Sequence, residues 1–183
     1  MTTDPFDSLR EPNVPLAPRP AFAAELRRQV SLALGATREE DAMSEVREYT
    51  PARLHSLTPY LATHDPAAAI AWYQEVFGAQ LLDDPIVMPD GRIGHAELRI
   101  GDSVMMLAGE YPEEDHRSPL TLGGSSVAIQ VYVPDSDATY ALAVERGATP
   151  LRPVAENYGA RGGVIRDPFG HRWFVNTQLT DPR

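Results

Sequence analysis

The chain has 183 residues, room for one domain with a sizeable core plus some extra length, and its 43% hydrophobic and 23% charged residues are ordinary globular composition. A formal net charge of −10 argues against a nucleic-acid partner and an anionic membrane surface, and its long-range field favours a cationic ligand. Without cysteine there is no disulfide, thiolate metal site or cysteine nucleophile. No apolar run reaches the ~20 residues of a membrane span and no signal-peptide core opens the chain, so the expectation is a cytoplasmic protein.

Residues 1–50 read as an appendage too small to be a domain. Pro5, Pro12, Pro15, Pro18 and Pro20 make the first stretch an extended arm. Phe22, Leu26, Val30, Ala33 and Leu34 then recur at helical spacing, which predicts an amphipathic helix stopped by Gly35. Ala36–Thr50 is a charged linker. This front piece is expected to pack on the main body or on a partner subunit.

The main body begins near Pro51. Leu54–Thr63 reads as a strand. Asp65 as N-cap and Pro66 in the first turn open a helix whose apolar face is Ala69, Ile70, Trp72, Tyr73, Val76 and Phe77, and Gly78 ends it. Gln80–Met88 is a strand that runs into the Pro89-Asp90-Gly91 turn. A hairpin of Ile93–Ile100 and Ser103–Ala108 follows, with Gly101-Asp102 at its tip. Glu110–Gly124, acidic and containing Pro and Gly, is a joining loop long enough to move over a cleft.

The layout then recurs. A strand ends at Asp135, a helix covers Ser136–Arg146, Gly147-Ala148 matches Gly78-Ala79, and a second hairpin turns at Asp167-Pro-Phe-Gly170. In that turn Pro168 pre-sets φ and Gly170 is free to take positive φ. Two copies of roughly 50–70 residues point to a duplicated half-domain, each copy β-α-β-β-β, rather than a repeat array.

Asp65-Pro66, the Ala/Ile/Trp/Tyr helix ending in Val76-Phe-Gly-Ala79, and the hairpins His95–Leu107 and Arg166–Val175 together resemble the vicinal-oxygen-chelate superfamily. That group holds the glyoxalases, extradiol dioxygenases and bleomycin-resistance proteins, and the hairpins are most similar to its small PhnB-type members. The resemblance covers Leu54–Gln178. It implies an α+β fold in which two βαβββ modules (53–109 and 125–177) form curved mixed sheets around a cleft, in a domain of residues 51–183, assembled as a homodimer. The metal enzymes of the family place one ligand, typically His, Gln or Glu, on each of four strands. Carried onto this chain by spacing, those positions fall at Thr58, Met105, Ala128 and Phe174. A metal site needs three or four converging N/O donors, so neither a metal nor another cofactor is expected.

If Thr58, Ala128 and Phe174 face the cleft, strand alternation also turns Tyr60, Ala62, Gln130, Tyr132, Arg172 and Asn176 inward. Leu61, Val127, Ile129, Val131, Trp173 and Val175 then face the helices. On the third strand His95, Glu97 and Arg99 are left for the cleft, with Met105 opposite. Such a lining, aromatic with a few polar groups, suits a small-molecule pocket.

His95-Ala-Glu97 has three readings: a salt-linked trio with Arg99 at a sheet or subunit interface, pocket lining, or an acid/base or metal-donor pair. His171 reads as a turn-packing residue. His55, His64 and His116 have no partner evident in sequence. Gly159–Gly163 leads into no helix that could receive a phosphate, and reads as hairpin flexibility beside the cleft. No Gly-x-Ser-x-Gly elbow supports acyl transfer.

The leading expectation is therefore a metal-independent small-molecule binding protein, sequestering an antibiotic or aromatic metabolite. The alternative is a glyoxalase-like lyase, isomerase or dioxygenase with a divalent metal or acid/base site around His95 and Glu97. A third reading makes the N-terminal helix and arm a grip on a protein partner.

Overall fold

A computed structural model describes residues 49–179 and, before them, Phe22, Ala23, Glu25, Leu26, Gln29, Val30, Leu32 and Ala33. The chain divides into two units, residues 1–49 and 50–183. In the first, the nine described residues, Tyr49 included, are helical, and Phe22, Leu26, Val30 and Leu32 are exposed. The predicted proline arm and most of the charged linker lie outside the described residues.

The second unit is the same strand-helix-strand pattern built twice. The first module runs β1 (Tyr60–Ala62), α1 (Pro66–Phe77), β2 (Gln80–Leu81), β3 (Ile86–Val87), β4 (Ile93–Ile100) and β5 (Ser103–Ala108). A linker with a 3-10 turn (Pro112–Glu114) and the short helix α2 (Pro119–Leu122) leads to the second. That module runs β6 (Ala128–Tyr132), α3 (Ser136–Glu145), β7 (Thr149–Asn157), β8 (Ala160–Arg166) and β9 (Arg172–Gln178). The strand orders β1-β5-β4-β2, with β3 also on β4, and β6-β9-β8-β7 are the same order twice. In each sheet the module's first strand lies parallel to its last, pairing Tyr60 with Met106 and Gln130 with Phe174, while the others are antiparallel. This is the expected α+β arrangement of two βαβββ modules.

Local chemistry explains the helix ends. Asp65 and Asp135 each accept a hydrogen bond from the backbone N–H three residues on, at 3.0 Å, satisfying a donor that helix geometry leaves open. Gly78 closes α1 at φ 64°, a left-handed conformation that a Cβ would strain. The six predicted apolar residues of α1 are the six it buries.

Two predicted strands differ. The first is regular only from Tyr60, and Leu54 instead turns back onto the Pro51 carbonyl. Gln80–Met88 is split into β2 and β3 around Asp83-Asp84-Pro85, because proline has no N–H to give the ladder and two adjacent carboxylates favour solvent. The Glu110–Gly124 segment is packed, not a free loop. Glu110 accepts from the Ser118 N–H at 2.6 Å and lies 2.9 Å from the His64 ring, and Ser118 and Pro119 are buried.

Helix α1 and the second hairpin share one core. Tyr73 and Phe77 stack, and Trp173 lies 4.8 Å from Phe77 between ring centres. At its middle sits the buried Asp167 carboxylate. It accepts from the Tyr73 hydroxyl at 2.7 Å, the Trp173 indole at 2.8 Å, and the backbone N–H groups of Phe169 and His171 at 3.0 and 2.8 Å. Those donors repay the desolvation of a buried charge. Burial, with Asp167 alongside, pushes the Tyr73 hydroxyl well above the ordinary tyrosine value. No described helix is long and apolar enough to cross a membrane.

The glycines of β8 hold close packing and not a flexible hairpin. A Cβ on Gly163 would lie 2.7 Å from the Tyr140 ring, and one on Gly162 would overlap the Asn176 side chain. The turn itself is Tyr158-Gly159, both at positive φ, the two-residue connection whose twist suits a hairpin.

Candidate functional site

Each sheet has one face on its helix and one face free of it. Leu61, Ala96, Leu98 and Leu107 belong to the core face of the first sheet, and Val131, Ile165, Trp173 and Val175 to that of the second. Alternation then assigns the functional candidates to the helix-free faces. A groove of about 580 Å³ runs between the sheets, bordered by Tyr60 and Ala62 of β1, Ala128 and Gln130 of β6, and the linker residues His116, Pro119 and Leu122.

The register corrects one cleft residue. Met105 pairs with Leu98 and is buried in the core, whereas Met106 stands beside both Tyr60 and Glu97 on the helix-free face. A one-residue slip in counting from the turn exchanges the two faces, which is why spacing alone chose the wrong methionine. Thr58 precedes the regular strand and its hydroxyl donates to the His55 carbonyl at 3.2 Å. Val127, expected to face a helix, is exposed, because regular pairing of β6 begins only at Ala128.

On the first sheet the side chains form a chain. The Tyr60 hydroxyl donates to the Gly94 carbonyl at 3.3 Å and lies 3.0 Å from His95 Nδ1, and His95 Nε2 lies 3.4 Å from Glu97 Oε1. Burial, reinforced by Tyr111 and Glu114, raises the Tyr60 pKa and keeps the phenol protonated. The cation at Glu97 is Arg53, its Nε 3.0 Å from Oε2 but not aligned for a hydrogen bond. The expected His95-Glu97-Arg99 trio is not formed, since Arg99 donates to Gln80 at 2.9 Å. His116 stacks near Tyr60, and its Nε2 and the Tyr111 hydroxyl are buried without a protein partner. Both residues border a cavity of about 350 Å³ with Tyr60 and Met88, where a ligand or water could satisfy them.

On the second sheet the helix-free face is different in kind. Phe174 has the guanidinium groups of Arg172 and Arg152 over its ring, 5.1 and 5.5 Å from the ring centre. Gln130 donates to the Tyr132 hydroxyl at 2.6 Å. Arg166 sits directly opposite Arg172 across the β8–β9 ladder. Sequence reading missed Arg166, although counting back across the Asp167–Gly170 turn gives it the same parity as Arg172. It missed Arg152 because a register irregularity in β7 breaks the alternation on which the reading relied.

His171 is buried at the groove. Its Nε2 hydrogen donates to the Ala62 carbonyl at 3.1 Å, tying the second hairpin to β1, and burial lowers its pKa below the ordinary histidine value. This is the turn-packing role expected of it. His64 lies 2.8 Å from the Thr121 hydroxyl, and His55 is exposed.

The metal implied by the resemblance does not fit these residues. Its positions carry Thr58, Met106 by the observed register, Ala128 and Phe174, none a carboxylate or imidazole. His95 and Glu97 offer two donors, and no group of three or more His, Asp or Glu suited to an ion occurs among the described residues.

The sequence profile of the Glyoxalase/Bleomycin resistance protein/Dioxygenase superfamily matches residues 53–175. The uncharacterized protein Rv0887c of Mycobacterium tuberculosis is 38% identical over 130 residues, spanning 69% of this chain and 76% of the relative. The uncharacterized protein Mb0911c of Mycobacterium bovis is equally identical, at 38%, over 69% of this chain and 85% of its own length. Among solved structures, TioX from Micromonospora sp. ML1 is similar with a TM-score of 0.51 and 27% identity, covering 70% of this chain and 100% of TioX. Protein PA1353 from Pseudomonas aeruginosa is similar in fold, with a TM-score of 0.54 at 21% identity, covering 68% of this chain and 98% of that one.

Proposed function

The chain belongs to the glyoxalase/bleomycin resistance protein/dioxygenase superfamily, and from that premise we propose that it is a metal-independent binding protein for a small organic molecule, held in the groove between its two sheets. The observation that carries this reading is the chemistry of the four family metal positions: Thr58, Met106, Ala128 and Phe174 offer no carboxylate or imidazole for an ion, and Ala128 lines the groove. The groove of about 580 Å³ has the volume of a small-molecule site, and its neighbours add aromatic faces and two polar atoms without protein partners.

The test is metal content by mass spectrometry after incubation with manganese, nickel, zinc and iron(II) and desalting. Protein that leaves the column metal-free, yet is stabilised by organic ligands in a thermal-shift screen, supports the reading. Retention of one equivalent of metal overturns it.

A second reading is favoured by the Tyr60-His95-Glu97 chain, which has the form of a general acid/base relay at the edge of the groove. For an isomerase or lyase of this kind, Glu97→Gln lowers kcat while leaving substrate affinity nearly intact. For a binding protein there is no turnover to lose, and the effect of the same substitution is confined to ligand affinity and stability.

A further inference from the structure

We propose that the ligand is an organic anion, a carboxylate or a phosphate with an apolar or planar body, and that Arg166 and Arg172 on the second sheet receive its charge. The proposal deepens the small-molecule reading and rests on it. It also reverses the expectation from net charge, which favours a cation.

The observation is where positive charge has no carboxylate beside it among the described residues. Arg53, Arg92, Arg117, Arg146 and Arg161 each meet a carboxylate, and Arg99 meets an amide. Arg152, Arg166 and Arg172 have no carboxylate partner among the described residues, although acidic residues outnumber basic ones 26 to 16 in the chain. All three stand on one face of one sheet. Arg166 and Arg172 are directly opposed across the ladder, a placement in which like charges repel. Arg152 joins them through the Val164–Phe174 row beside it. A cavity of about 370 Å³ opens at this place, lined by Arg166, Arg172, Ser125, Leu120 and Leu151, with no acidic residue in its wall. It shares Pro119, Gly124 and Ser125 with the larger groove, so one ligand can span both.

The chemistry follows from these groups. A guanidinium is planar and presents paired N–H donors that match carboxylate and phosphate oxygens. An anion between Arg166 and Arg172 would turn their repulsion into shared attraction. Leu120 and Leu151 suit the apolar part of such a ligand.

The experiment is titration calorimetry of the full chain with phenyl phosphate, benzoate, the neutral benzamide and the cationic benzamidine, on wild type, Arg166→Gln, Arg172→Gln and the control Arg146→Gln, whose guanidinium meets Glu75 and Glu145 away from the cavity. We expect at least one anion to bind wild type and Arg146→Gln, and to lose about tenfold or more in affinity in each of the other variants. Which anion binds more tightly separates phosphate from carboxylate. A second readout is sulfate, which should raise the melting temperature of wild type more than that of Arg166→Gln. Binding of benzamide or benzamidine as tight as that of the anions, and unaffected by the arginine variants, overturns the anion assignment and leaves the groove reading standing. Failure of every probe, whatever its charge, overturns both.

Discussion

The two modules are one backbone written twice, and the register allows their positions to be compared one for one. On the core faces Leu61, Ala96, Leu98, Met105 and Leu107 of the first correspond to Val131, Gly163, Ile165, Trp173 and Val175 of the second. Every pair is apolar, because both faces must lie against a helix. On the helix-free faces Tyr60, His95, Glu97 and Met106 correspond to Gln130, Gly162, Val164 and Phe174, and Val104 to Arg172. Of these pairs only Met106 and Phe174 keep an apolar character, and Arg99 keeps its type in Arg166. Packing constrains one face of a strand and leaves the other freer to diverge, so the duplicated fold carries a face with the Tyr60, His95 and Glu97 side chains in contact on one side and a cationic, aromatic face on the other.

The hairpin tips sharpen the contrast. Asp167 at the second tip is buried under four donors, while Asp102 at the first is exposed and takes only the Ser103 hydroxyl, at 2.9 Å. Asp167→Ala should cost about 3–5 kcal/mol, since it strands the Tyr73 hydroxyl and Trp173 indole in the core. Asp102→Ala should stay within about 0.5 kcal/mol. Urea unfolding of both variants measures the difference, and equal losses would refute the idea that only one tip is a structural anchor.

A smaller effect separates Gly163 from its counterpart Ala96. Gly163→Ala should cost about 1–3 kcal/mol, because the new methyl meets the Tyr140 ring at 2.7 Å and the Arg152 carbonyl at 3.0 Å. Adding Tyr140→Leu should recover part of that loss in the same assay. No recovery would place the cost elsewhere.

The groups around Asp167, Tyr73 from the first module and His171 from the second, give a pH dependence. His171 has a lowered pKa in the fold, chiefly from burial, so the unfolded chain binds the proton more readily. Its contribution is complete above about pH 6.5 and is lost as pH falls toward the lower folded value. Tyr73 has a raised pKa, again chiefly from burial, so its contribution holds below about pH 10 and is lost as pH rises further. Stability measured against pH should flatten on the acid side in His171→Gln and on the alkaline side in Tyr73→Phe. Unchanged profiles would contradict both assignments.

The smallest contrast is expected between the caps. Asp65→Ala and Asp135→Ala remove the same 3.0 Å bond from equivalent helix starts and should each cost about 1 kcal/mol. A clear difference between them would show that the modules are less alike at their helix starts than their registers make them.

Much of this was legible in the chain. Asp65-Pro66 and Gly78 bracket a helix whose bounds follow from local capping, and the tip of the second hairpin is announced by Asp-Pro-Phe-Gly. The duplication is visible because these local signals recur in the same order. Less legible were the cleft residues of β5 and β7. Met105 and Met106 are chemically alike, so no composition signal says which one faces in, and the irregularity in β7 hides Arg152 from any count by alternation.

Sequence alone therefore determined the elements, their repeat and the core faces, since capping, turn chemistry and apolar periodicity act over a few residues. The tertiary structure decided the rest. It chose Met106 over Met105, gave Glu97 the distant Arg53 as its cation instead of nearby Arg99, and gathered on one face three arginines that have no carboxylate partner among the described residues, in a chain whose net charge is negative. Register and ion pairing join residues far apart in the chain, and net charge is a sum that carries no positions.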